Sequence, residues 1–440
     1  MYSIRRTVFP LFVPVALILL SSVAIIKWPD LLKQMHDVKE LRAVMVIMPF
    51  VPYIIFAIGF VMGWRYANAG IILGSFALAF SYYGLDYFRS PELPRAVILD
   101  QSVTSALAFL LPLNLAFYSA LTKRRIFTAT GILALILLTV QVFAVIFFCH
   151  PLSHISSWVM AEIKSLSPVV ADKLSVFSSW QGFVLTDHSF FRFEGMPTAP
   201  AGAFGLALLF VLVQFVKTSD IRICGFFFGI VAAMLGIIAR FSEPAVIFYF
   251  FAAGLILVIT TVEASFSMAY IDELTALPGR RSLNEALLNL GKKYAIAMID
   301  VDHFKKFNDS FGHKTGDQVL KMIASRLRKI SGGAKTFRYG GEEFTAIFAG
   351  KTVEDAVSYI EDFREAVGST PFIIRDWKRC RKKKNDRRRK NSSNRKPVKV
   401  TVSIGLASPV GGKTDPEKVI KAADKKLYTA KKRGRNRTVF

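Results

Sequence analysis

Four acidic residues in the C-terminal part of the chain have the spacing of a cation site. Asp300 ends a short apolar run, YAIAMID over 294–300, and Asp302 follows two residues later. Side chains two apart on a strand point to the same face, so a strand here aims both carboxylates one way. Glu342 and Glu343 come directly after Gly340 and Gly341, between strand-like runs at 335–339 and 344–348. A Gly-Gly turn between such runs predicts a β-hairpin. Carboxylates from a strand end and a hairpin turn, set face to face, supply the hard oxygen donors that suit Mg²⁺ shared with substrate phosphates. Glycine at the turn lets backbone approach a ligand where a β-carbon would clash. Taken alone, the same residues also describe a tight exposed hairpin with no ligand.

The acids need elements to position them, and the surrounding pattern supplies these. Helix signals at 280–290, 316–330, 352–367 and 415–432 alternate with strand signals at 294–300, 335–339, 344–348 and 399–406. Over 316–330, Val319, Leu320, Ile323 and Leu327 fall at helical spacing. The alternation predicts a mixed sheet flanked by helices, of α+β or α/β type.

Residues 272–440 resemble the GGDEF diguanylate cyclase domain. Five stretches carry the resemblance in order: DELTALPGRRSL (272–283), MIDVDHFKKFNDSFGHKTGDQVL (298–320), RYGGEEF (338–344), VTVSIGLA (400–407) and ADKKLYTAKKRGRN (423–436). The signature here is the GGEEF variant. The resemblance implies a palm-like nucleotidyl cyclase fold, α+β, with a central, mainly antiparallel sheet flanked by helices. It implies condensation of two GTP into cyclic di-GMP and two pyrophosphates across a homodimer. The residues it marks as catalytic are Asp300, Glu342 and Glu343. Asp300, Glu343 and the backbone carbonyl of Val301 would hold Mg²⁺, with Mn²⁺ as the alternative. Glu342 would assist the metal or act as general base toward the attacking 3′-hydroxyl. Asn308 and Asp317 would hydrogen-bond the guanine edge. Lys305, Lys431 and Arg435 would hold the triphosphate, and Gly341 would lie against substrate through its backbone. The rival within the family is a nucleotide-binding signalling receptor without turnover, and the intact set argues against it. Many family members carry an R-x-x-D product-inhibition site. Here that stretch is Ser331-Gly332-Gly333-Ala334, so no such feedback is expected.

The rest of the chain is of another kind. Of 440 residues, 52% are hydrophobic and only 20% charged, with mean hydropathy +0.39. That excludes disorder throughout. Cys149, Cys224 and Cys380 lie far apart, which excludes a disulfide framework. Eight apolar runs read as membrane helices: 8–26, 43–64, 66–83, 97–121, 126–149, 199–216, 223–239 and 245–262. The expected organisation is therefore an integral membrane region over 1–262, with about eight transmembrane helices and an outward segment at 150–198. A connecting helix over 263–271 then leads to the domain at 272–440. The short loops 1–7, 65, 122–125 and 217–222 hold eight Lys/Arg against one acid, Asp220. Basic loops stay inside, so the expected location is the bacterial inner membrane with the C-terminal domain in the cytoplasm.

Charge adds one more feature. The formal net charge is +25, of which +19 falls in 263–440. An insertion at 375–396, RDWKRCRKKKNDRRRKNSSNRK, has thirteen Lys/Arg and two Asp. Anionic membrane lipids are the partner such a cluster suits; a solvated insertion is the equal alternative. Nucleic acid is disfavoured, because only Trp377 is available to stack on bases.

Overall fold

The computed structural model describes residues 2–37, 43, 45–87, 96–149, 161, 162, 164, 165, 167, 168, 198–373, 397–409 and 415–440. The outward segment 150–198 lies largely outside the described residues, and the basic insertion 375–396 wholly so. The chain forms two compact units, Met1–Ser265 and Phe266–Phe440.

The first unit is helical: α1 (Tyr2–Asp37), α2 (Val51–Arg65), α3 (Ala69–Tyr87), α4 (Ala96–Ser119), α5 (Ala129–Cys149), α6 (Thr198–Thr218), α7 (Ile221–Ile238) and α8 (Glu243–Tyr270). Among the described residues, seven helices are long and apolar enough to cross a membrane, where eight are expected from the sequence. The eighth expected span falls on α4, a helix of 24 residues whose fully described part, Val103–Ser119, is apolar. The unit is a membrane-associated helical region. Without water to drive helices together, packing in lipid rests on close van der Waals contact through small residues. A β-carbon on Gly225 of α7 would stand 2.1 Å from Thr260 Oγ1 on α8. Gly236 likewise lies against the Phe250 ring, and Gly70 of α3 against the Tyr118 carbonyl of α4.

Three short loops meet at one end of this unit. Ala69 N donates to the Arg124 carbonyl at 2.8 Å, and Arg222 Nη1 to the Thr122 carbonyl at 3.2 Å. The Asp220 carboxylate pairs with Arg222 at 2.8 Å and with Lys123 at 3.6 Å. The Gly225–Thr260 contact puts the last turns of α8 at this same end. The chain thus leaves the first unit where its basic loops are gathered.

The second unit contains α9 (Arg280–Leu288), β1 (Tyr294–Val301), α10 (Phe304–Phe311), α11 (His313–Leu327), β2 (Lys335–Gly340), β3 (Glu343–Ala349), α12 (Val353–Ser369), β4 (Phe372–Ile373), β5 (Pro397–Val398), β6 (Val402–Ala407), α13 (Pro416–Lys432) and β7 (Thr438–Val439). The main sheet has the order β2-β3-β1-β6-β7. All its pairs are antiparallel except β6–β7, which gives the expected mainly antiparallel α+β sheet. All eight residues of β1 are buried, because it is the middle strand with helices on both faces. Ala295, Ala297 and Ile299 pack with Val319, Ile323 and Ile360 of α11 and α12. The alternate residues Ile296 and Met298 pack with Leu283 of α9 and with Val419, Ala423 and Leu427 of α13. Each fully buried Val, Leu, Ile or Met side chain among these contributes roughly 1.5–3 kcal/mol. The flanks of the basic insertion pair as a two-stranded ribbon, Phe372 with Val398 and Ile373 with Pro397.

Candidate active site

The strand register decides which acids meet. β1 and β3 pair so that Asp300 stands directly opposite Glu343, and side chains in such a pair lie about 5 Å apart. The alternation along β1 turns Asp300 toward the face that α13 covers. That helix sits unusually close to the sheet. A β-carbon on Gly405 of β6 would stand 2.1 Å from the Ala423 carbonyl oxygen and 2.2 Å from Leu427 N. Glycine at 405 therefore lets helix backbone rest on strand backbone. Lys431, in the last turn of α13, reaches Asp300 as a result, with Nζ 2.9 Å from Oδ2.

The hairpin turn is braced from below. Gly340 pairs with Glu343, leaving Gly341 and Glu342 as a two-residue turn. Gly341 has φ +46, a backbone conformation that glycine adopts at little steric cost. Its carbonyl accepts from Arg338 Nε at 3.1 Å and from Nη2 at 2.6 Å. Arg338 Nη1 also donates to both Asp272 oxygens, at 2.8 and 2.9 Å. Asp272 is held in turn by Thr275, whose backbone N and Oγ1 donate to Oδ1. The first and third stretches of the family pattern are thus physically joined.

Electrostatics show what the acids lack. Asp300 is 5% exposed, and burial pushes its carboxyl above the ordinary range although Lys431 opposes this. Burial also raises Glu342 and Glu343, and the charge on Asp300 raises both further. Each of these carboxylates is harder to ionise than a free one, because it is buried and too little positive charge faces it. A divalent cation is the species that relieves this, and hard oxygen donors suit Mg²⁺. Among the described residues no three His, Cys, Asp or Glu side chains converge as a ready ligand set. A cation held here would draw part of its coordination from backbone and phosphate oxygens.

Asp302 does not join this group, contrary to the expectation of four acids around one ion. It shares the face of Asp300, but its oxygens are already occupied. Oδ1 accepts from Ser403 Oγ at 2.6 Å, and Oδ2 from Thr401 Oγ1 at 2.7 Å and Asn436 N at 3.0 Å. Val301 is buried in β1 opposite Val402.

The remaining candidates occupy the helical pair that follows β1. Lys305 is exposed in the first turn of α10. Asn308, on the same helix, lies over Gly316 of α11, where a β-carbon would stand 1.8 Å from Asn308 Oδ1. That oxygen is buried and has no hydrogen-bond partner among the described residues. Asp317, the next residue, is exposed. Arg435 follows α13 with φ +63, and its charge acts on Asp300. Gly316, Gly405 and the Asp272–Arg338 pair went unread as functional residues in the sequence. A glycine inside a strand pattern marks close approach, and that signal was available for Gly405; Gly316 stands at the start of its helix signal, where glycine carries no such message.

Residues 269–437 match the family model described as "Diguanylate cyclase, GGDEF domain". The response regulator PleD of Caulobacter vibrioides is 34% identical over 186 residues, covering 40% of this chain and 37% of PleD. Diguanylate cyclase VdcA of Vibrio cholerae is 33% identical over 175 residues, covering 39% of this chain and 47% of VdcA. The crystal structure of the coiled coil and GGDEF domain of DgcB from Caulobacter crescentus, in complex with c-di-GMP, is 29% identical. It covers 40% of this chain and 88% of that one, with a TM-score of 0.35. The C-terminal unit is a GGDEF domain, and diguanylate cyclases are among its relatives. The chain spans less than half the length of these two curated relatives.

Proposed function

We propose that this chain is a membrane-bound diguanylate cyclase, condensing two GTP into cyclic di-GMP and two pyrophosphates. The observation that carries the reading is the cross-strand pair Asp300–Glu343, with Glu342 beside it and Lys431 against it. Asp300, Glu343 and the Val301 carbonyl would hold Mg²⁺, with Mn²⁺ as a substitute. When bound, the ion spreads the negative charge that builds on the attacked phosphate.

The chain's own residues do the rest. Asp317 accepts from guanine N1–H and the 2-amino group, and the unpartnered Asn308 Oδ1 adds an acceptor at the same base edge. Adenine offers neither donor at those positions, so GTP is preferred. Lys305, Lys431 and Arg435 neutralise the triphosphate, Lys431 passing from Asp300 to phosphate oxygen. The Gly341 backbone lies against the substrate. Glu342 takes the proton of the 3′-hydroxyl. The freed oxygen attacks the α-phosphorus of the second GTP, forming the O–P bond as the bond to pyrophosphate breaks. Each domain holds one GTP, so two domains of a homodimer must face each other for both bonds to form. Holding the reactants in register supplies much of the rate.

For the whole chain, we read 1–262 as the membrane region, 263–271 as the connecting helix and 272–440 as the cyclase. The bundle end that gathers the basic loops is also where α8 leaves. This supports a cytoplasmic cyclase on a bacterial inner membrane. The insertion 375–396 suits anionic lipid headgroups rather than nucleic acid. The test is turnover by the purified full-length protein with GTP and Mg²⁺. Wild type is expected to release cyclic di-GMP and Glu343→Ala none. Wild type that binds GTP yet never turns over would instead be a nucleotide-binding receptor.

A further inference from the structure

One buried carboxylate beside the cation site takes no part in the chemistry above. Asp302 is 9% exposed, and its three donors are of two kinds. The Thr401 and Ser403 hydroxyls come from the neighbouring β6 segment. The third donor is the backbone N–H of Asn436, in the loop after α13. On α12, Arg364 holds the same residue: Nη1 donates to the Asn436 carbonyl at 3.3 Å and to Oδ1 at 3.1 Å. Arg364 is itself fixed by Glu361, 2.7 Å away. An acid therefore grips the N–H of Asn436 while a guanidinium grips its carbonyl and side chain.

The loop needs this grip. Gly434, Arg435 and Asn436 have φ +104, +63 and +44, three left-handed residues in succession. Glycine accepts that region freely, whereas a residue with a β-carbon pays a steric cost. Such a conformation persists where the surroundings over-determine it. Within the loop, Arg435 N donates to the Ala430 carbonyl at 3.0 Å, and Arg437 Nε to the Arg435 carbonyl at 3.1 Å. The two grips on Asn436 fix the next bond along, and with it the direction in which the Arg435 side chain leaves the backbone.

We infer that Asp302 and Arg364 are positioning residues for the triphosphate site: by clamping Asn436 they hold Arg435 in its left-handed turn and aim its guanidinium at substrate phosphates. The inference rests on the reading of Arg435 as a triphosphate ligand. Asp302 lies two residues beyond Asp300 on the same strand end. One short segment therefore sets both the cation ligand and, through Asn436, the phosphate ligand. The spacing between the two becomes a property of β1 rather than of a free loop.

The experiment measures binding of 3′-deoxy-GTP, which lacks the attacking hydroxyl, and of guanosine, which lacks phosphate. It uses purified full-length protein as wild type, Asp302→Asn, Arg364→Met, Arg435→Ala and the two doubles with Arg435→Ala. Asp302→Asn and Arg364→Met are each expected to weaken 3′-deoxy-GTP about tenfold, the scale of one charge-assisted contact. Guanosine affinity should stay at the wild-type value, and neither change should add to the loss in Arg435→Ala. Arg364→Met, which keeps an unbranched apolar stem on α12, keeps the test open should Asp302→Asn fold poorly. Equal loss of guanosine binding, or full additivity with Arg435→Ala, would mean general damage and overturn the clamp. So would wild-type binding by both variants beside a weakened Arg435→Ala. An Arg435→Ala that binds 3′-deoxy-GTP normally would remove the triphosphate role itself, and the clamp with it.

Discussion

If guanine sits beside Asn308 as proposed, replacing Gly316 by alanine perturbs the base end of the site and little else. The new methyl would stand 1.8 Å from Asn308 Oδ1, 2.9 Å from its Cγ and 3.1 Å from Phe304 Cζ. The Asn308 amide must therefore retreat by roughly 1–2 Å to regain van der Waals separation. Helix α11 accepts the change. Gly316 is not left-handed, and alanine in place of glycine favours a helix by about 1 kcal/mol. The stability change is thus small and the loss falls on the base edge. One or two neutral hydrogen bonds at about 1 kcal/mol each correspond to a roughly five- to thirtyfold loss of GTP affinity. Calorimetric titration with 3′-deoxy-GTP and 3′-deoxy-ATP reads this directly, with a thermal melt alongside. The expected outcome is weaker GTP binding, ATP binding unchanged, and a melting temperature near wild type. A folded Gly316→Ala protein with full GTP affinity and full preference over ATP would refute the placement of guanine beside Asn308.

Arg338→Met removes the contacts to Asp272 and to the Gly341 carbonyl together. It should cost about 2–3 kcal/mol and lower the melting temperature by several degrees; an unchanged melt would mean that the turn does not depend on that brace. Burial, and for the two glutamates also the charge on Asp300, holds Asp300, Glu342 and Glu343 above the ordinary carboxylate range. The acid limb of Mg²⁺ binding by the cation-free protein, where protons compete with the ion, should accordingly lie above the usual carboxylate value of about 4. Their folded-state pKa values exceed the unfolded ones, so their contribution to stability is present at low pH and lost as pH rises through the raised values. The cation-free melting temperature should fall across that window in wild type relative to Asp300→Asn, and Mg²⁺ should suppress the fall. Parallel curves for the two proteins would contradict the shifts. Added cyclic di-GMP should produce no non-competitive inhibition. Ser331 rims a cleft of about 520 Å³ whose wall includes Asp362, and the stretch over 331–334 has no arginine or aspartate. Strong non-competitive inhibition would show that feedback uses other residues.

The parts of the fold that the sequence disclosed are those where one residue period runs long enough to be seen. The unbroken apolar run of β1 announced a strand, and the Gly340-Gly341 turn announced the hairpin. The apolar rows of α11, α12 and α13 gave helices within a few residues of their true ends. Helix α10 escaped notice because eight residues with Phe304, Phe307 and Phe311 as their apolar positions are too short to establish a period. Strands β4, β5 and β7 have two residues each and exist through pairing partners far along the chain.

At the site, spacing correctly put Asp300 and Asp302 on one face. It could not say that Ser403 and Asn436, over a hundred residues away, would occupy Asp302. The same holds for Gly316 and Gly405. Their necessity comes from an Asn side chain and a helix backbone pressed against them, and neither contact is local in the chain.

The most direct measurement is Mn²⁺ binding in the presence of 3′-deoxy-GTP, followed by electron paramagnetic resonance on wild type, Asp300→Asn and Glu343→Gln. The expected result is nucleotide-dependent Mn²⁺ bound to wild type and lost in both variants, each still folded. Mn²⁺ held equally well after either substitution would contradict a cation shared by Asp300 and Glu343.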